Sequence, residues 1–426
     1  MCTQAGGARC SLVGWGPLVA DLPRALHVAL GGHVRAQQFV ADLGEALCRR
    51  AGPGRAAVLT DSNRALLRRA ARNEALCAQM RRTGRPRGDV RSALQSLGPL
   101  NGFIPEIVHA YGQASAIVAD HLARRWHVPW VVTGFGPVSA GWREARLLRR
   151  AARIVALSER LAPRVPRLNT EVIPGGIDRR EFNPAAIAEN LMVELGLDPH
   201  TLHLGMVGRF DSPASGAFDF LEAAARVARK IPHVEFVVVG DGALLDDMVG
   251  YAHRAGVFAN VRFLGPRADR GRLYNVLDCV VLPAHEAAFA WELLEAGASG
   301  TRILLSHIDA HREILAAQDP LVTYFPAGDV DALAAHLYRI VSTPGIGGGP
   351  QIVDLAALGT GLSGAVRAEI AETHYAIGDE ELEQVVDPDG PLSLRRIVYG
   401  IYEISRIARR YAALYEETVR GVTCAR

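Results

Sequence analysis

Short apolar runs alternate with amphipathic helical segments through the second half of the chain. The runs are rich in Val, Leu and Ile and most are bounded by turn residues, which is typical of strands buried on both faces. They occupy residues 203–208, 234–240, 261–265, 278–283, 302–306 and 321–325. Strands that alternate with helices in this way predict an open parallel sheet covered by helices.

The first half repeats this pattern less regularly. Its apolar runs lie at residues 25–30, 56–60, 106–112, 130–136 and 153–158. Residues 183–198 have a weak pattern for a strand and predict a linker between the halves. The expected fold class is therefore α/β, with two Rossmann-like doubly wound domains, residues 1–185 and 186–395, that face each other across a cleft.

The last quarter of the chain contains an irregular segment and a helix. Residues 344–391 begin with a Gly-rich stretch and predict an insertion within the second domain. Residues 393–419 repeat apolar positions at helical spacing and predict one long amphipathic helix. Its apolar face carries Ile397, Ile401, Ile404, Tyr411 and Leu414.

Length, charge, cysteine content and the length of the apolar runs limit the classes of protein to which the chain can belong. The 426 residues are enough for two domains with separate cores, and a formal net charge of +2 predicts no nucleic-acid partner. The six cysteines are scattered without a CxxC pair, which predicts reduced thiols and no zinc site. No apolar run reaches the roughly 18 residues of a membrane span. The weakly apolar N-terminal stretch is interrupted by Gly and Pro, so we expect a cytoplasmic protein.

The segment at residues 281–300 combines a strand end, a polar loop and a helix. The apolar positions after the loop recur at helical spacing and predict a helix that begins near Ala288. Glu292 and Glu295 then lie in its first turns. Open α/β sheets bind ligands at the carboxyl ends of their strands and at helix N-termini, so the segment lies where a ligand is expected.

Seven short motifs follow one another along the chain. They are VIPGGIDRREFNP at residues 172–184, then MVGRF, FVVVGDG, VRFLG, DCVVLP, LLEAGASG and, at residues 325–329, FPAGD. This succession resembles glycosyltransferase family 4, which has the GT-B fold, and the similarity covers roughly residues 26–342. The resemblance implies metal-independent transfer of a sugar, with retention of configuration, from a nucleotide-diphospho-sugar such as a UDP-sugar. It also implies that a terminal helix, residues 396–426, packs back on the N-terminal domain.

The resemblance assigns roles on the donor side. Arg209 matches the arginine that holds the diphosphate, so it is a candidate for a bidentate phosphate contact and for catalysis. Glu295 matches the glutamate that binds the ribose hydroxyls. Further donor contacts are implied for Gly240, Gly242, Leu264, Phe289 and Ala290. For the two glycines the alternative is a strand-to-helix turn, where glycine is common.

The donor side also departs from the family pattern. The family's lysine, a few residues after Arg209, is missing, and residues 210–216 contain no basic side chain. Ala287 occupies the position of the family's sugar-binding glutamate, and Glu286 lies one residue earlier. Either a shift in the loop returns Glu286 to the sugar as a catalytic group, or the function of that glutamate has been lost.

The acceptor side departs as well. Phe135 stands where the family has a histidine, and its side chain has no hydrogen-bonding atom. Gly31, Gly32 and His33 follow the first strand and are candidates for the acceptor or phosphate side, because glycine permits close backbone approach. His109 is another candidate at the predicted cleft. The alternative is that His109 is a satisfied core residue, which is more common for a lone histidine.

A basic cluster lies just after the predicted catalytic loop, which follows the VVTGFG segment at residues 131–136. It contains Arg143, Arg146, Arg149, Arg150 and Arg153. Interleaved leucines predict a basic amphipathic helix, for which two interpretations stand. One is peripheral contact with the anionic inner membrane, and the other is a solvated, arginine-rich face.

Two functions remain open at this point. The first is a glycosyltransferase whose partner is a nucleotide sugar, with neither a metal nor another cofactor. The second is a catalytically impaired GT-B homologue that acts as a protein partner, a regulator or a nucleotide-sugar sensor, because the departures lie around one site. The direction in which Glu286 points bears on the choice between them.

Overall fold

The computed structural model describes most of the two predicted domains and the C-terminal helices. The described residues are 22–30, 34–52, 54–61, 76–83, 85–97, 102–134, 142–162, 169–183, 189–198, 200–315, 321–342 and 394–423. Candidates that lie outside these residues are Gly31, Gly32, His33, Phe135 and the predicted insertion at residues 344–391. Part of the predicted linker lies outside them as well.

The described part of the N-terminal half contains seven parallel strands in the order β3-β2-β1-β4-β5-β6-β7. The strands are β1 Ala25–Ala29, β2 Ala56–Thr60, β3 Leu76–Gln79, β4 Ile107–Tyr111, β5 Trp130–Gly134, β6 Arg153–Ala156 and β7 Thr170–Val172. The helices are α1 Val34–Ala51, α2 Pro86–Ser96, α3 Gln113–Trp126 and α4 Trp142–Leu148. Alternation of buried strands and helices along the chain produces this layered sheet.

The described part of the second half contains six parallel strands in the order β10-β9-β8-β11-β12-β13. The strands are β8 Leu202–Arg209, β9 Val234–Asp241, β10 Val261–Gly265, β11 Cys279–Leu282, β12 Arg302–Ser306 and β13 Val322–Phe325. The helices up to residue 342 are α5 Glu189–Leu195, α6 Ala217–Ala228, α7 Leu245–Arg254, α8 Arg270–Tyr274, α9 Trp291–Ser299, α10 Asp309–Ile314 and α11 Val330–Ser342.

Both sheets reverse their strand order at a central strand. In the first sheet β1 lies between β2 and β4, and in the second β8 lies between β9 and β11. Because the strands are parallel, their carboxyl ends lie along one edge of each sheet, and a crevice opens there where the order reverses. The segments that follow β8 and β11 meet at this crevice. The prediction of an α/β fold with two doubly wound sheets is confirmed.

The apolar pattern does not predict two of the strands. β3 and β7 form the two outer edges of the first sheet. Most of their residues are only partly buried, and neither strand has a long apolar run. An edge strand pairs on one side only and packs less fully than a central strand, so its sequence signal is weaker.

The basic segment at residues 143–153 does not form one helix. α4 ends at Leu148, and Arg153 begins β6, where pairing with β5 holds it in the sheet. Arg146 and Arg149 are exposed. Arg150 lies 3.4 Å from a carboxylate oxygen of Asp120. The predicted basic helix is therefore wrong in its extent, because β6 begins within the same arginine-rich run.

Within the segment predicted as a single helix, the described residues 394–419 form parts of two helices. The helices are α12 Leu394–Tyr402 and α13 Ile404–Thr423. Between them, Glu403 forms a parallel bridge with Ile177. The backbone N–H of Ile177 donates to the carbonyl of Tyr402, and the carbonyl of Ile177 accepts from the N–H of Ile404. α12 packs against α9 of the second half, and α13 packs against α1 of the first. The chain therefore crosses between the halves at Glu403, later than the predicted boundary at residue 396.

Candidate functional site

Arg209 is the last residue of β8 and lies at the carboxyl edge of the second sheet. Its side chain is 40% exposed. The guanidinium donates to the two carboxylate oxygens of Asp211 at 2.7 and 2.8 Å. The hydrogen bond to Asp211 raises the pKa of Arg209; burial opposes this rise, and the charges of Asp211 and Asp241 add to it. The cation predicted to hold a diphosphate therefore already has a carboxylate partner.

The turn after β9 approaches the backbone at the end of β8. Gly240 and Gly242 have φ angles of 147° and 153°. A Cβ atom on Gly240 would overlap the carbonyl of Gly208, and one on Gly242 would overlap the backbone of Phe210. The close approach requires glycine at both positions, so the turn interpretation accounts for them. Leu264 lies farther out, half-buried in the edge strand β10.

His285 holds the loop at residues 283–290 from within the second half. Its backbone N–H donates to Ala214 O at 2.8 Å. Its Nε2 lies 2.6 Å from Asp219 Oδ2 in the first turn of α6. Glu286, the next residue, is exposed. The structure thus places Glu286 on a loop that is anchored one residue away, and its contact with a sugar stays a prediction.

Arg160 holds the same loop from the N-terminal half. It belongs to the 3₁₀ turn Glu159–Leu161 after β6. Its guanidinium donates to the carbonyl oxygens of Ala287 and Ala288, the second at 3.0 Å. The backbone N–H of Glu159 donates to Glu313 Oε1 at 2.7 Å, so a carboxylate from α10 caps this turn. The two halves of the chain therefore meet at the loop that carries Glu286.

α9 begins at Trp291, three residues after the predicted start at Ala288. Ala290 has φ −90° and ψ 77°, which is not helical, so the preceding residues belong to the loop. Phe289 and Ala290 are 9% and 4% exposed. The Phe289 ring centroid lies 4.9 Å from that of Trp291. These two predicted donor contacts are therefore packed side chains beneath the loop.

Glu295 is fully buried, at 0% exposure. Tyr274 donates its hydroxyl to Glu295 Oε2 at 2.9 Å, and an ion pair joins Arg270 to Oε1 at 3.2 Å. Burial, followed by the charge of Glu295, raises the pKa of Tyr274 well above its ordinary value, so Tyr274 stays protonated as the donor. Both carboxylate oxygens face protein groups. The ribose contact of Glu295 stays a prediction.

Arg270 connects Glu295 to the N-terminal half. It also donates to Gln38 Oε1 of α1 at 3.0 Å, and Gln38 donates to the carboxylate of Glu181 at 3.0 and 3.1 Å. Burial lowers the pKa of Arg270, but the neighbouring carboxylates, Glu295 first among them, outweigh burial and leave the pKa raised. This polar network joins α1, the turn that carries Glu181, α8 and α9, and the sequence alone does not predict it.

Glu292 lies one turn nearer the crevice than Glu295. It is in the first turn of α9 and is half-buried. An ideal Cβ atom on Gly208 would lie 3.9 Å from Glu292 Oε1, which places the carboxylate beside the end of β8. The sequence assigns Glu292 no role. Its spacing from Glu295, which puts both on one helix face, is the signal that points to it.

His109 is a core residue. It is fully buried, and its ring nitrogens lie 2.5 Å from Tyr415 OH and 2.8 Å from Thr133 Oγ1. Burial, followed by the charge of His27, lowers the pKa of His109 well below 6.5. These contacts favour the alternative of a satisfied core residue, because β4 places His109 beneath α13.

The described residues contain neither a metal site nor a membrane-spanning helix. Among these residues, no group of three or more His, Cys, Asp or Glu side chains is arranged to hold a metal ion. Within the same part of the chain, no helix is both long and apolar enough to cross a membrane. α3 packs against α4. The exposed arginines of these elements are Arg124 and Arg125 of α3, Arg146 of α4 and Arg149 just after α4.

The second sheet and its crevice lie in a part of the chain that matches a known protein family. Residues 201–343, which extend from β8 to α11, match the family described as glycosyl transferases group 1. This part of the chain is a glycosyl transferases group 1 domain. The group 1 domain contains Arg209 and Asp211 after β8 and all three glutamates of the segment after β11, so the candidate site lies within it.

Curated relatives match parts of the chain. A D-inositol 3-phosphate glycosyltransferase of Segniliparus rotundus is 33% identical over 144 residues, which cover 32% of this chain and 32% of that protein. Glycogen synthase of Mycobacterium tuberculosis is 28% identical over 273 residues, which cover 59% of this chain and 64% of that protein. The chain spans less than two thirds of the length of each.

Solved structures match over both halves. The structure of HepE from Anabaena in complex with UDP and glucose has a TM-score of 0.64 at 16% identity and covers 92% of this chain and 99% of that one. A glycosyltransferase from Rickettsia africae has a TM-score of 0.66 at 14% identity, with 94% and 99% covered. The chain therefore has the GT-B fold, in which two Rossmann-like domains face each other.

Proposed function

We propose that the chain is a glycosyltransferase that binds a nucleotide-diphospho-sugar at the crevice of the group 1 domain and transfers the sugar to an acceptor on the N-terminal half. The observation that carries this proposal is Arg209 at the carboxyl end of β8, where the strand order reverses. A partly exposed guanidinium at such an edge suits a diphosphate, because its planar fork can donate two parallel hydrogen bonds.

The finer parts of the proposal rest on the resemblance to family 4. They are a UDP-sugar as donor, retention of configuration and independence of a metal ion. HepE, which has the same fold, was crystallised in complex with UDP and glucose, and this supports the choice of UDP as the first nucleotide to test. Arg209 and the N-terminus of α9 supply positive charge for the leaving diphosphate. Glu286 would act on the sugar if the loop at residues 283–290 moved toward Arg209.

A catalytically impaired homologue that senses a nucleotide sugar is the second candidate. The observation that favours it is the pairing of Arg209 with Asp211, together with the absence of any basic side chain at residues 210–216. Loss of one donor to a developing negative charge typically lowers the rate by roughly 10² to 10³. A protein with these departures would retain nucleotide binding more readily than turnover.

Titration of the protein with UDP-, GDP- and ADP-sugars measures binding and tests both candidates. Release of the nucleoside diphosphate measures turnover, and a comparison with and without EDTA tests whether turnover needs a metal ion. We expect one nucleotide to bind and Arg209→Ala to lower its turnover by roughly 10² to 10³. Arg226→Ala is the matched control, because Arg226 lies on α6 and pairs with Glu222 and Asp331. Binding without turnover would support the sensor, whereas neither binding nor hydrolysis across the panel would overturn both candidates.

The exposed arginines of α3, of α4 and of the turn that follows α4 support a proposal of peripheral contact with an anionic membrane surface. Arg124, Arg125, Arg146 and Arg149 present their charges on one part of the N-terminal half, and such charges attract acidic headgroups. Sedimentation with vesicles that contain phosphatidylglycerol, compared with vesicles of phosphatidylcholine alone, tests this contact. Equal recovery with both vesicles would leave the solvated-face interpretation.

A further inference from the structure

A row of six hydrogen-bonded side chains lies buried between the first sheet and α13. Four of them belong to β1, β4 and β5, and two belong to α13. In order along the row they are His27, Tyr111, Tyr415, His109, Thr133 and Tyr411. Each is at most 4% exposed. We propose that α13 is an acid-released helix: protonation of His27 and His109 detaches α13 from the first sheet while both sheets stay folded.

Three hydrogen bonds of this row join α13 to the sheet. The hydroxyl of Tyr415 lies 2.5 Å from His109 Nδ1 and is also hydrogen-bonded to Tyr111, and the hydroxyl of Tyr411 lies 3.0 Å from Thr133 Oγ1. His109 thus binds α13 with one ring nitrogen and Thr133 of the sheet with the other. The position of α13 therefore depends on the protonation of this ring.

The row has a direction that fixes the neutral forms of both histidines. His27 Nε2 is buried without a hydrogen-bond partner in the described part of the chain. An orphaned buried N–H is rarer than an orphaned acceptor, so the proton of His27 is assigned to Nδ1, which donates to Tyr111. Tyr111 then donates to Tyr415, Tyr415 donates to His109 Nδ1, and His109 Nε2 donates to Thr133.

A proton added to either ring disrupts this order. On His109 the added proton lies on Nδ1, which then points its N–H at the donating hydroxyl of Tyr415. On His27 the added proton lies on Nε2, where the described residues offer no acceptor. A buried charge without a partner is costly, so protonation becomes favourable only once α13 has moved away and water reaches the rings.

The elements packed around the two rings present uncharged groups to them. α1 contributes the ring of Phe39, whose centroid lies 6.5 Å from that of Tyr111 and 6.3 Å from that of Tyr411. Burial raises the pKa of each tyrosine in the row, so their hydroxyls stay protonated. The charges of Arg410 and Glu171 also reach Tyr411, where they shift its pKa in opposite directions. Within the described part of the chain, neither imidazole pairs with a carboxylate.

Acid should therefore favour the detached helix. Burial lowers the pKa of His27 to about 3, and burial, followed by the charge of His27, lowers that of His109 well below 6.5. In water both rings regain pKa values near 6.5, so below that pH, and down to about 3 for His27, the detached state binds more protons. Between pH 7 and pH 5 the equilibrium constant for detachment rises about 25-fold for each ring that water reaches.

Detachment of α13 leaves the hydrogen bonds of both sheets intact. The strands of the first sheet pair only with one another, and α13 packs on them and on α1 from one side. α13 begins directly after the crossing at Glu403, so its release would also remove the packing that continues from this crossing onto α1.

Amide hydrogen exchange at pH 7 and pH 5, corrected for the intrinsic exchange rates, tests this behaviour. We expect the opening of α13 to rise about 600-fold at pH 5 if both rings become accessible, while β8, β9 and β11 keep their protection. In His109→Gln, whose amide can replace both hydrogen bonds of the ring, the rise should fall to about 25-fold. His121→Gln, at an exposed histidine of α3, is the matched control and should keep the wild-type rise. If His109→Gln does not fold, His27→Gln carries the same expectation.

Tyr415→Phe separates hydrogen bonding from titration. The variant loses the bond between α13 and His109 but keeps the packed ring, so we expect the opening of α13 at pH 7 to rise about fivefold. The further rise in acid should persist, because both histidines remain. Tyr338→Phe on α11, at a ring that is 42% exposed, is the control and should change neither quantity.

Three results would overturn the acid-released helix. Equal corrected opening of α13 at pH 7 and pH 5 would show that neither ring controls it. Simultaneous loss of protection in α13 and in β8, β9 and β11 would show unfolding of the whole chain. A wild-type rise in both His109→Gln and His27→Gln would assign the acid effect to other groups. These measurements need no nucleotide, so the proposed function is tested separately.

Discussion

Asp211 decides how available Arg209 is to a ligand. The two side chains form a bidentate pair at the carboxyl end of β8, and both are about two fifths exposed. Exposed ion pairs contribute only about 0–1 kcal/mol, so a diphosphate with two negative groups can displace Asp211. Because Asp211 competes with the ligand for the same guanidinium, its charge lowers the affinity of the site.

We therefore expect Asp211→Asn to bind UDP more tightly than the wild-type protein, by up to about fivefold at low ionic strength. The gain should diminish in high salt, because screening weakens the interaction between exposed charges. Calorimetric titration at two salt concentrations measures it, with Asp331→Asn as control. Weaker binding by Asp211→Asn would instead show that Asp211 holds Arg209 in the orientation that the ligand needs.

At the scale of elements, α13 covers a buried polar cluster on the first sheet. His27 Nδ1 lies 2.8 Å from Tyr111 OH, and His109 binds Tyr415 of α13 and Thr133 of β5. Burial lowers the pKa of His27 to about 3 and that of His109 well below its ordinary value. Both rings are therefore neutral in the folded protein over a pH range in which exposed histidines are charged.

We expect the free energy of unfolding to fall as the pH drops below about 6.5. In the unfolded chain both histidines titrate near pH 6.5, so below that pH, and down to about 3 for His27, the unfolded state binds more protons and stability rises with pH. Each buried histidine should contribute a loss of about 1.4 kcal/mol per pH unit in this range. Urea unfolding at a series of pH values measures the slope.

Two variants test the origin of this slope. His109→Gln removes one buried titrating group, so its slope should be shallower by the contribution of one histidine. His121→Gln, on the exposed side of α3, should keep the slope of the wild-type protein. Equal slopes for all three proteins would show that the acid sensitivity comes from other groups.

For the whole molecule, contacts between the two halves determine the state of the site. Arg160 reaches from the turn after β6 to the loop that carries Glu286, and Arg270 reaches from α8 to Gln38 of α1. Opening of the cleft would break the Arg160 contacts first, because Arg160 is exposed, whereas the side chain of Arg270 is only 15% exposed. The order of the loop at residues 283–290 is thus coupled to the arrangement of the two halves.

Arg160→Gln should speed amide hydrogen exchange in the loop at residues 283–290 by roughly fivefold or more. Hydrogen bonds from a charged donor contribute about 1.5–3 kcal/mol each, and solvent exposure reduces that contribution here. Exchange followed by mass spectrometry measures the effect. Arg312→Gln on α10 is the control, since Arg312 is 58% exposed and pairs with Asp309 on the same helix. Unchanged exchange in Arg160→Gln would show that contacts within the second half, such as those of His285 and Ser306, order the loop.

The strands of the second sheet and much of the crevice were predictable from the sequence. A strand buried on both faces requires a continuous apolar run, so β8, β9, β11 and β12 are visible in the chain within about two residues at each end, and the edge strands β10 and β13 are visible because they carry apolar runs too. The edge strands β3 and β7 of the first sheet and the break at Glu403 were not predictable. β3 and β7 lack a long apolar run, and Ile177, which separates α12 from α13, is far from those helices in sequence.

The sequence by itself determined which charges the site contains. Arg209, the absence of a basic residue at 210–216 and the presence of Glu286, Glu292 and Glu295 are properties of single positions. Only the tertiary structure decided which of these charges are available to a ligand. Availability depends on partners that the fold brings together: Tyr274 and Arg270 contact the buried carboxylate of Glu295, Arg270 donates in turn to Gln38, and Glu292 Oε1 lies beside the end of β8. Burial and pairing depend on contacts between distant segments, and the local pattern of a sequence does not record such contacts.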